Sequence, residues 1–322
     1  MRGTPLYLKT GKKDGPLCLF IHGLGMSHHI WVNPEESKIL GGRYPVGLFL
    51  SRPPRSKKNK EELKRFTPGT PPSVLKTPLH DLQERGYTVL AYSQQRPVGS
   101  IDVLLDEIGD ILDEYADLTR RGIIFITHSR GGILARLAIQ CLNIKKTIGL
   151  ITIATPHNGS SMADMARVLL PVTKVLYPFF ARSEQGTVKG AIKRVMDFLS
   201  SPAVKELTPH SELIKGIKAQ RIKGIKVLSF GGTNPTLFTL YKWHKDCMKY
   251  RKVFSIPEIL TGYLPERMVL DELKKGKGDS LVTAESAVAS EAVAHYNYSQ
   301  NHAGLIFNRY LRKRIQQFVR EL

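Results

Sequence analysis

The sequence predicts an α/β fold built on a mainly parallel central sheet with helices on both sides. Short apolar runs that suit buried strands alternate with amphipathic helical patterns, which is the arrangement typical of parallel sheets. The chain has 322 residues, of which 42% are hydrophobic, enough to fill one sizeable core that carries insertions. We expect residues 1–160 and 225–322 to form this core, with an insertion at 41–77 inside it and another at 161–224.

The first predicted strand leads into a glycine-rich turn. Leu17–Ile21 is apolar and ends in His22–Gly25. Glycines allow a backbone N–H to turn toward a neighbouring group, so the N–H of Leu24 is a candidate donor to an oxyanion. A plain glycine-rich turn after a buried strand accounts for the same residues.

Residues 41–77 are rich in proline, lysine and arginine, and we interpret them as a basic surface excursion. After them, Tyr87–Tyr92 has the pattern of a strand, and Ile101–Leu118 has that of an acidic amphipathic helix. Gly149–Ala154 and Lys226–Phe230 are further predicted strands.

Thr127–Gly131 is the most informative stretch, because the apolar strand Ile123–Ile126 runs into it and a helical pattern leaves it. A side chain at such a sharp strand-to-helix turn is held exposed, which makes Ser129 a candidate nucleophile. Arg130 then lies at a helix N-terminus, where its backbone N–H is a second candidate oxyanion donor. A surface serine in an ordinary turn is the alternative.

A candidate acid and a candidate base follow in chain order. Asp279 comes after a glycine and before an apolar stretch, as expected at the carboxyl end of a sheet strand. Its alternative role is the N-cap of a helix beginning near Val282. His302 lies between the strand-like run Ala292–Tyr298 and a closing amphipathic helix.

Rival residues are less favoured by their surroundings. His295 lies inside an alternating run, so we expect it to point off a strand face. Asp246 and Asp271 would replace Asp279 only if the last strands began elsewhere. We expect His22 and His157 to brace their loops, and His128 is adjacent to Ser129 and unable to reach back to its hydroxyl.

These segments resemble the α/β-hydrolase superfamily, and within it microbial lipases and carboxylesterases and the esterases similar to GPI-inositol deacylases. The segments that carry the resemblance are His22–Gly25, Thr127–Gly132, Ala154–Ser160, Gly278–Val282 and Asn301–His302. The family usually has glycine or alanine where this chain has Thr127, so we expect a slightly remodelled turn.

The resemblance implies a serine carboxylic-ester hydrolase that acts on apolar acyl esters through an acyl-enzyme. The implied residues are Ser129, Asp279 and His302 as the triad, and Leu24 and Arg130 as the oxyanion hole. No cofactor is expected and no metal ligand is assigned, although the resemblance leaves open a structural calcium of the kind that some lipases hold near the acid loop. An acyltransferase, a phospholipase or a polyester hydrolase would use the same triad.

Residues 161–224 open with a stretch too apolar around its circumference for a helix lying in water. We interpret this range as a cap or lid over an acyl pocket; a cap helix packed permanently on the core is the alternative. The residues expected to contact the acyl chain are Met162, Leu169, Val172, Leu176 and Phe179.

The net charge is +20, from 48 basic and 28 acidic residues, so negatively charged partners are attracted at low salt. A basic protein that binds anionic membrane or nucleic acid is therefore the rival class. Its support is three basic runs, but no nucleic-acid motif accompanies them. The runs are Arg52–Arg65, Lys215–Lys226 and Arg312–Arg314.

We expect a small-molecule or lipid ester as substrate and no nucleic-acid partner, and peripheral contact with an anionic lipid surface is a further hypothesis. The oligomeric state is left open. The three cysteines are too few for a disulfide framework, and we expect Cys18 and Cys141 to be buried thiols. No leader or membrane span is recognisable, which predicts a cytoplasmic protein if the chain is complete and a secreted one if a leader was removed.

Overall fold

The computed structural model of this protein describes residues 4–12, 14–39, 44–54, 65–142, 144, 146–161 and 201–322. The acyl-contact residues expected at the start of the 161–224 insertion lie outside these ranges. They are Met162, Leu169, Val172, Leu176 and Phe179.

A seven-stranded sheet forms the centre of the molecule, with the strand order β1-β6-β2-β7-β8-β9-β12. From β6 to β12 all neighbours are parallel, and only β1 runs antiparallel, to β6. Its strands are β1 (Leu6–Lys9), β2 (Leu17–Ile21), β6 (Thr88–Tyr92), β7 (Ile123–His128), β8 (Thr147–Ile153), β9 (Lys226–Gly232) and β12 (Ala294–Tyr298).

In the part of the chain that the structure describes, five further strands lie outside this sheet in two small sheets. They are β3 (Lys38–Ile39) with β4 (Tyr44–Pro45), and β5 (Phe66–Thr67), β10 (Phe238–His244) and β11 (Lys249–Ile256).

Helices cover both faces of the central sheet. They are α1 (His29–Val32), α2 (Pro78–Glu84), α3 (Ile101–Glu114), α4 (Arg130–Cys141), α5 (Pro202–Lys205), α6 (Glu212–Ala219), α7 (Glu258–Thr261) and α8 (Arg309–Arg320). Short 3-10 turns occupy Val46–Leu50, Ala116–Thr119, Glu266–Met268, Asp271–Leu273 and Gly304–Phe307.

Alternate residues of the central strands supply two separate cores. Cys18 and Phe20 of β2 pack with α1, α2 and α8, whereas Leu19 and Ile21 pack with α3, α4 and α6. The period of two along each strand sends successive side chains to opposite faces. Because both faces are covered, the inner strands β2 and β7 are largely apolar, and Leu17–Ile21 is buried at every position.

The predicted strands and main helices are confirmed, with differences at their ends. The acidic helix ends at Glu114 and continues as a 3-10 turn. The closing helix begins at Arg309, because the Asn308 side chain accepts the N–H groups of Tyr310 and Leu311 as its N-cap. Leu305 and Ile306 belong to the preceding 3-10 turn.

The prediction that both Cys18 and Cys141 are buried is half wrong. Cys18 is fully buried, and burial raises the pKa of its thiol to about 12. Cys141 is exposed, because α4 ends at this residue and its last turn is less buried than its start.

Parts of the two predicted insertions contact distant segments of the chain, which local sequence patterns do not predict. Thr67 and Phe66 of β5, from the proline-rich excursion, pair with Tyr241 and Lys242 of β10. In the 161–224 range, α6 packs through Ile214 on the same core as α4. Within the described ranges no helix is both long and apolar enough to cross a bilayer.

Candidate active site

A strained turn separates β7 from α4, and Ser129 is its only residue. Its φ of 54° and ψ of −128° lie in a region of backbone conformation that residues other than glycine rarely adopt. The Ser129 N–H donates to the carbonyl of Ile153 in β8 at 2.8 Å, and its own carbonyl accepts the Gly132 N–H at 3.0 Å. These bonds hold the backbone in a sharp strand-to-helix turn, which we call the elbow.

Three glycines allow other segments to close around this turn. A Cβ on Gly131 would lie 2.7 Å from the carbonyl oxygen of His22, and one on Gly132 would lie 2.1 Å from Thr155 Oγ1. A Cβ on Gly23 would lie 3.0 Å from the Cβ of Ser129. The glycine-rich turn after β2 therefore lies directly against Ser129.

Thr127, the departure from the family pattern, is accommodated within the sheet. The residue is fully buried, and its hydroxyl donates to the Ile151 carbonyl of β8 at 2.9 Å. The larger side chain is thus satisfied by the neighbouring strand.

Asp279 and His302 form a buried pair. Their side chains are 1% and 4% exposed, and Nδ1 of His302 donates to Oδ2 of Asp279 at 2.9 Å. The His302 backbone N–H also donates to the Asp279 carbonyl at 3.0 Å. With Nδ1 protonated and engaged, Nε2 is the imidazole nitrogen left to accept a proton.

The second carboxylate oxygen of Asp279 stabilises its own loop. Oδ1 accepts the N–H groups of Leu281 and Val282 at 3.0 and 2.8 Å. No helix begins at Val282, so the helix-cap alternative does not apply to this described segment. A single carboxylate holds both the turn and the imidazole.

Asp279 lies at the carboxyl end of a sheet strand, as the sequence predicts. The chain leaves β9 at Gly232, forms β10 and β11, and then returns to this edge. A Cβ on Gly232 would lie 2.7 Å from the Cβ of Asp279, so the aspartate packs against the carboxyl end of β9.

His128 connects His302 to the turn at Ser129. Its Nε2–H donates to the His302 carbonyl at 3.0 Å, and the two rings lie 4.8 Å apart between centroids. Burial, with His302 close by, holds the pKa of His128 well below its ordinary range, so the ring is neutral. Among the described residues no hydrogen bond joins Ser129 Oγ to His302; catalytic hydrogen bonds often tighten only when substrate binds.

The two predicted oxyanion donors come from different segments, one directly after Ser129 and one next to Gly23, where a Cβ would lie 3.0 Å from the Cβ of Ser129. Arg130 is the first residue of α4, and Leu24 follows Gly23 in a turn closed by the Met26 N–H to the Gly23 carbonyl at 3.3 Å. Neither backbone N–H has an acceptor among the described residues. Unpaired N–H groups at a helix start and in a tight turn are suited to binding an anion.

The side chain of Arg130 has a different environment from its backbone. It is 2% exposed, donates to the Gly99 carbonyl at 2.6 Å and pairs with Glu206 at 3.0 Å. Burial lowers the pKa of the guanidinium, and Glu206 opposes that effect. The elbow is therefore tied to the loop before α3 and to the end of α5, a contact that local sequence patterns do not reveal.

Other histidines serve the surrounding loops. His22 donates from Nδ1 to the Gly23 carbonyl at 2.9 Å and accepts the Gln94 N–H on Nε2 at 3.1 Å. Burial lowers the pKa of His22 to about 4. His157, also buried, lies within 3.1 Å of Thr152 Oγ1 through its Nε2.

The rival residues lie away from this pair. His295 contacts Ser229 Oγ at 2.8 Å and Asn297 Oδ1 at 3.0 Å, on the edge strand β12. Asp271 pairs with Lys274, which lowers the pKa of that carboxyl, and Asp246 lies exposed in the β10–β11 turn. Within the described ranges, no group of three or more His, Cys, Asp or Glu side chains is arranged to hold a metal ion.

The sheet order, the elbow and the buried Asp279–His302 pair are features of the α/β-hydrolase fold, and comparison with solved structures shows the same fold. The mature lipase BlEst2 of Bacillus licheniformis is similar over 98% of both chains, with a TM-score of 0.54 and 15% identity. Its propeptide form gives a TM-score of 0.56 and 15% identity over 98% of this chain and 53% of that one.

Sequence comparisons match part of the chain. Residues 98–195 match the family described as PGAP1-like alpha/beta domain. A lysosomal thioesterase PPT2 homologue of Drosophila melanogaster is 32% identical over 89 residues, which is 27% of this chain and 31% of that protein. The match thus spans about a third of the curated relative's length.

Proposed function

We propose that this protein is a serine carboxylic-ester hydrolase of the esterase or lipase type. The observation that carries the proposal is the buried Asp279–His302 pair, joined at 2.9 Å, which His128 connects to the strained turn at Ser129. The fold shared with a bacterial lipase and the partial match to a thioesterase both support acyl transfer to water.

In the proposed reaction, the Ser129 hydroxyl attacks the carbonyl carbon of the ester while His302 Nε2 takes its proton. Asp279 holds the imidazole in the required tautomer and stabilises its charged form. The backbone N–H groups of Leu24 and Arg130 bind the oxyanion. Collapse of the intermediate breaks the C–O bond, and the imidazolium gives its proton to the departing alkoxide.

Water then hydrolyses the acyl-enzyme. His302 takes a proton from the water as its oxygen attacks the acyl carbon, and the imidazolium returns that proton to the Ser129 oxygen as the acyl C–O bond breaks. The products are the carboxylic acid and free Ser129. A thioester is the second candidate substrate class, because the partial match is to a thioesterase and the chemistry differs only in the leaving thiolate.

The insertions belong to the proposal as regions that select the substrate. We keep 161–224 as the proposed cap, 41–77 as a surface insertion, and 1–160 with 225–322 as the core. Met162, Leu169, Val172, Leu176 and Phe179 are the proposed acyl contacts. A preference for long over short p-nitrophenyl esters would support these contacts, and activity confined to acetate and butyrate would contradict them.

Replacing Ser129 tests the proposal directly. We expect Ser129→Ala and His302→Ala to lower kcat for p-nitrophenyl butyrate by roughly 10³-fold or more, because the nucleophile or its base is lost. A fluorophosphonate probe should label the parent protein at Ser129 and leave Ser129→Ala unlabelled.

Ser290→Ala is the matched control, because Ser290 is an exposed serine outside the site. It should retain full activity and labelling. Undiminished hydrolysis by a folded Ser129→Ala variant would contradict the proposal, whatever its substrate range.

A further inference from the structure

The small sheet β5–β10–β11 leaves the central sheet at its catalytic edge. Its strand β10 follows the carboxyl end of β9, and β11 forms one edge of the small sheet. The Thr236 carbonyl, just before β10, accepts the side-chain amide of Asn301 at 2.7 Å. The base of this sheet is therefore bonded to the residue next to His302.

One face of this sheet is basic. Cross-strand partners share a face, and Lys242 pairs with both Arg251 and Phe66, while His244 pairs with Lys249. Lys242 and His244 are two positions apart on β10, so both pairs lie on the same face. We call this set the basic face: Phe66, Lys242, His244, Lys249 and Arg251.

The opposite face contacts the body of the protein through Tyr241, which is 8% exposed and whose ring lies against Gly69, where a Cβ would be 3.2 Å away. Its cross-strand partner Lys252 is exposed and forms an ion pair with Glu258. On the basic face, Lys249 and Arg251 are exposed on the edge strand.

Large apolar side chains are exposed on the same sheet and in the turn that joins β10 to β11. They are Phe66 on β5 (46% exposed), Met248 in the turn (50%) and Val253 on β11 (48%). Cations together with aromatic and aliphatic side chains suit the headgroup region of a bilayer.

We propose that the basic face docks this protein on the surface of an anionic phospholipid bilayer, with the carboxyl edge of the central sheet turned toward the lipid. The inference deepens the proposed ester hydrolase activity, on which its biological meaning rests. Lysine and arginine bind the anionic headgroups, and Phe66 and its exposed apolar neighbours enter the interface.

Charge reversal on the edge strand tests the docking surface. Binding is measured by sedimentation with vesicles of phosphatidylcholine containing phosphatidylglycerol, and with vesicles of phosphatidylcholine alone. Each lysine or arginine next to an anionic leaflet contributes roughly a fivefold gain in partitioning. The variant Lys249→Glu/Arg251→Glu should therefore bind the anionic vesicles at least about 25-fold more weakly than the parent.

The matched control is Arg221→Glu/Lys223→Glu, which makes the same charge change at two exposed positions. These residues precede the amino end of β9, whereas the small sheet follows its carboxyl end. The control variant should bind close to parent affinity. Lys242→Gln is a milder variant on the central strand β10 and should show a loss of roughly fivefold.

Salt separates the charged from the apolar contribution. Between about 10 mM and physiological salt the Debye length falls from about 30 Å to about 8 Å, so parent binding should weaken strongly. Phe66→Ser should lower the binding that survives salt by about tenfold. Val74→Ser is the control for Phe66→Ser, because Val74 is 74% exposed and lies outside the sheet. This substitution should not change the binding that survives salt.

The Lys249/Arg251 and Lys242 variants lie outside both insertions and should hydrolyse soluble p-nitrophenyl butyrate as the parent does, so a failure of docking and a failure of the proposed activity are distinguishable. Equal losses in the Lys249/Arg251 and Arg221/Lys223 variants would overturn the docking surface in favour of net charge alone. Equal binding to neutral and anionic vesicles would overturn it too, as would displacement from anionic vesicles by a DNA duplex at low concentration.

Discussion

At the scale of single residues, the backbone around His302 is held from several directions. Asp279 binds its imidazole and its N–H, and His128 donates to its carbonyl. The preceding Asn301 donates its amide to the Phe49 and Thr236 carbonyls, each at 2.7 Å. A side chain held in this way loses little freedom when it takes part in a reaction, which is the basis of preorganisation.

His128→Phe tests this role. The substitution keeps a ring of similar shape but removes the donor to the His302 carbonyl. We expect kcat for a soluble ester to fall about tenfold with KM nearly unchanged, because small misplacements of a catalytic group are costly.

Stability should change little in this variant, because His128 Nδ1 is a buried nitrogen without a partner among the described residues, and its removal offsets the lost hydrogen bond. Steady-state kinetics and a thermal melt check both expectations. A fall in melting temperature without a change in kcat would mean that His128 supports only the fold.

At the scale of elements, the start of α4 lies unusually close to the chain around it. Gly132 faces Thr155 after β8, and Gly131 faces the backbone carbonyls at the end of β2. The helix can begin directly after Ser129 only because these two positions have no side chain. Close packing of one helix against two loops is what brings its N-terminus to the elbow.

Two glycine-to-alanine substitutions in helices should have opposite effects. Gly132→Ala should destabilise the protein by about 1–3 kcal/mol, because its Cβ would lie 2.1 Å from Thr155 Oγ1. Gly216→Ala in α6 should stabilise it by about 0.5–1 kcal/mol, because its Cβ meets nothing within 4 Å and alanine favours helix.

Denaturant titration measures both changes in the free energy of unfolding. Gly132→Ala should also lower kcat, whereas Gly216→Ala should not. A similar change of stability in the two variants would contradict the packing argument.

At the scale of the whole molecule, three histidines besides His302 are almost completely buried in and around the core: His22, His128 and His157. Burial lowers the pKa of His22 to about 4 and that of the other two well below the usual range. All three are neutral when folded and would take up protons when the chain unfolds in mild acid.

The free energy of unfolding should therefore fall as pH drops below about 6.5, because the histidines of the unfolded chain then bind protons and those of the folded protein do not. The stability that these neutral histidines contribute is fully present above that pH and is lost progressively toward about pH 4. Each histidine adds a slope of up to about 1.4 kcal/mol per pH unit, so three give up to about 4.

Urea titrations from about pH 7.5 to about pH 5 measure this slope. His22→Gln should reduce this slope by up to about 1.4 kcal/mol per pH unit, which is the contribution of one histidine. Glutamine can still occupy the site but does not titrate. A stability that stays constant across this range would contradict the prediction.

The sequence by itself determined the strands, the main helices, the elbow and the chain order of Ser129, Asp279 and His302. Apolar period, glycine spacing and strand-to-helix turns are local signals, so they can be recognised without knowing the fold. Contacts between distant segments carry no such signal. The donation from His128 to the His302 carbonyl, the burial of the Arg130 side chain and the pairing of β5 with β10 depended on which surfaces meet after folding.

One error shows the same limit. Cys141 is exposed because α4 ends there. A residue's pattern indicates the element to which it belongs, but its neighbours and its exposure are decided by how the elements pack. Only the tertiary structure could bring Asp279 to His302 and turn five residues from two distant segments into one basic face, because burial and charge clustering are properties of the assembled surface.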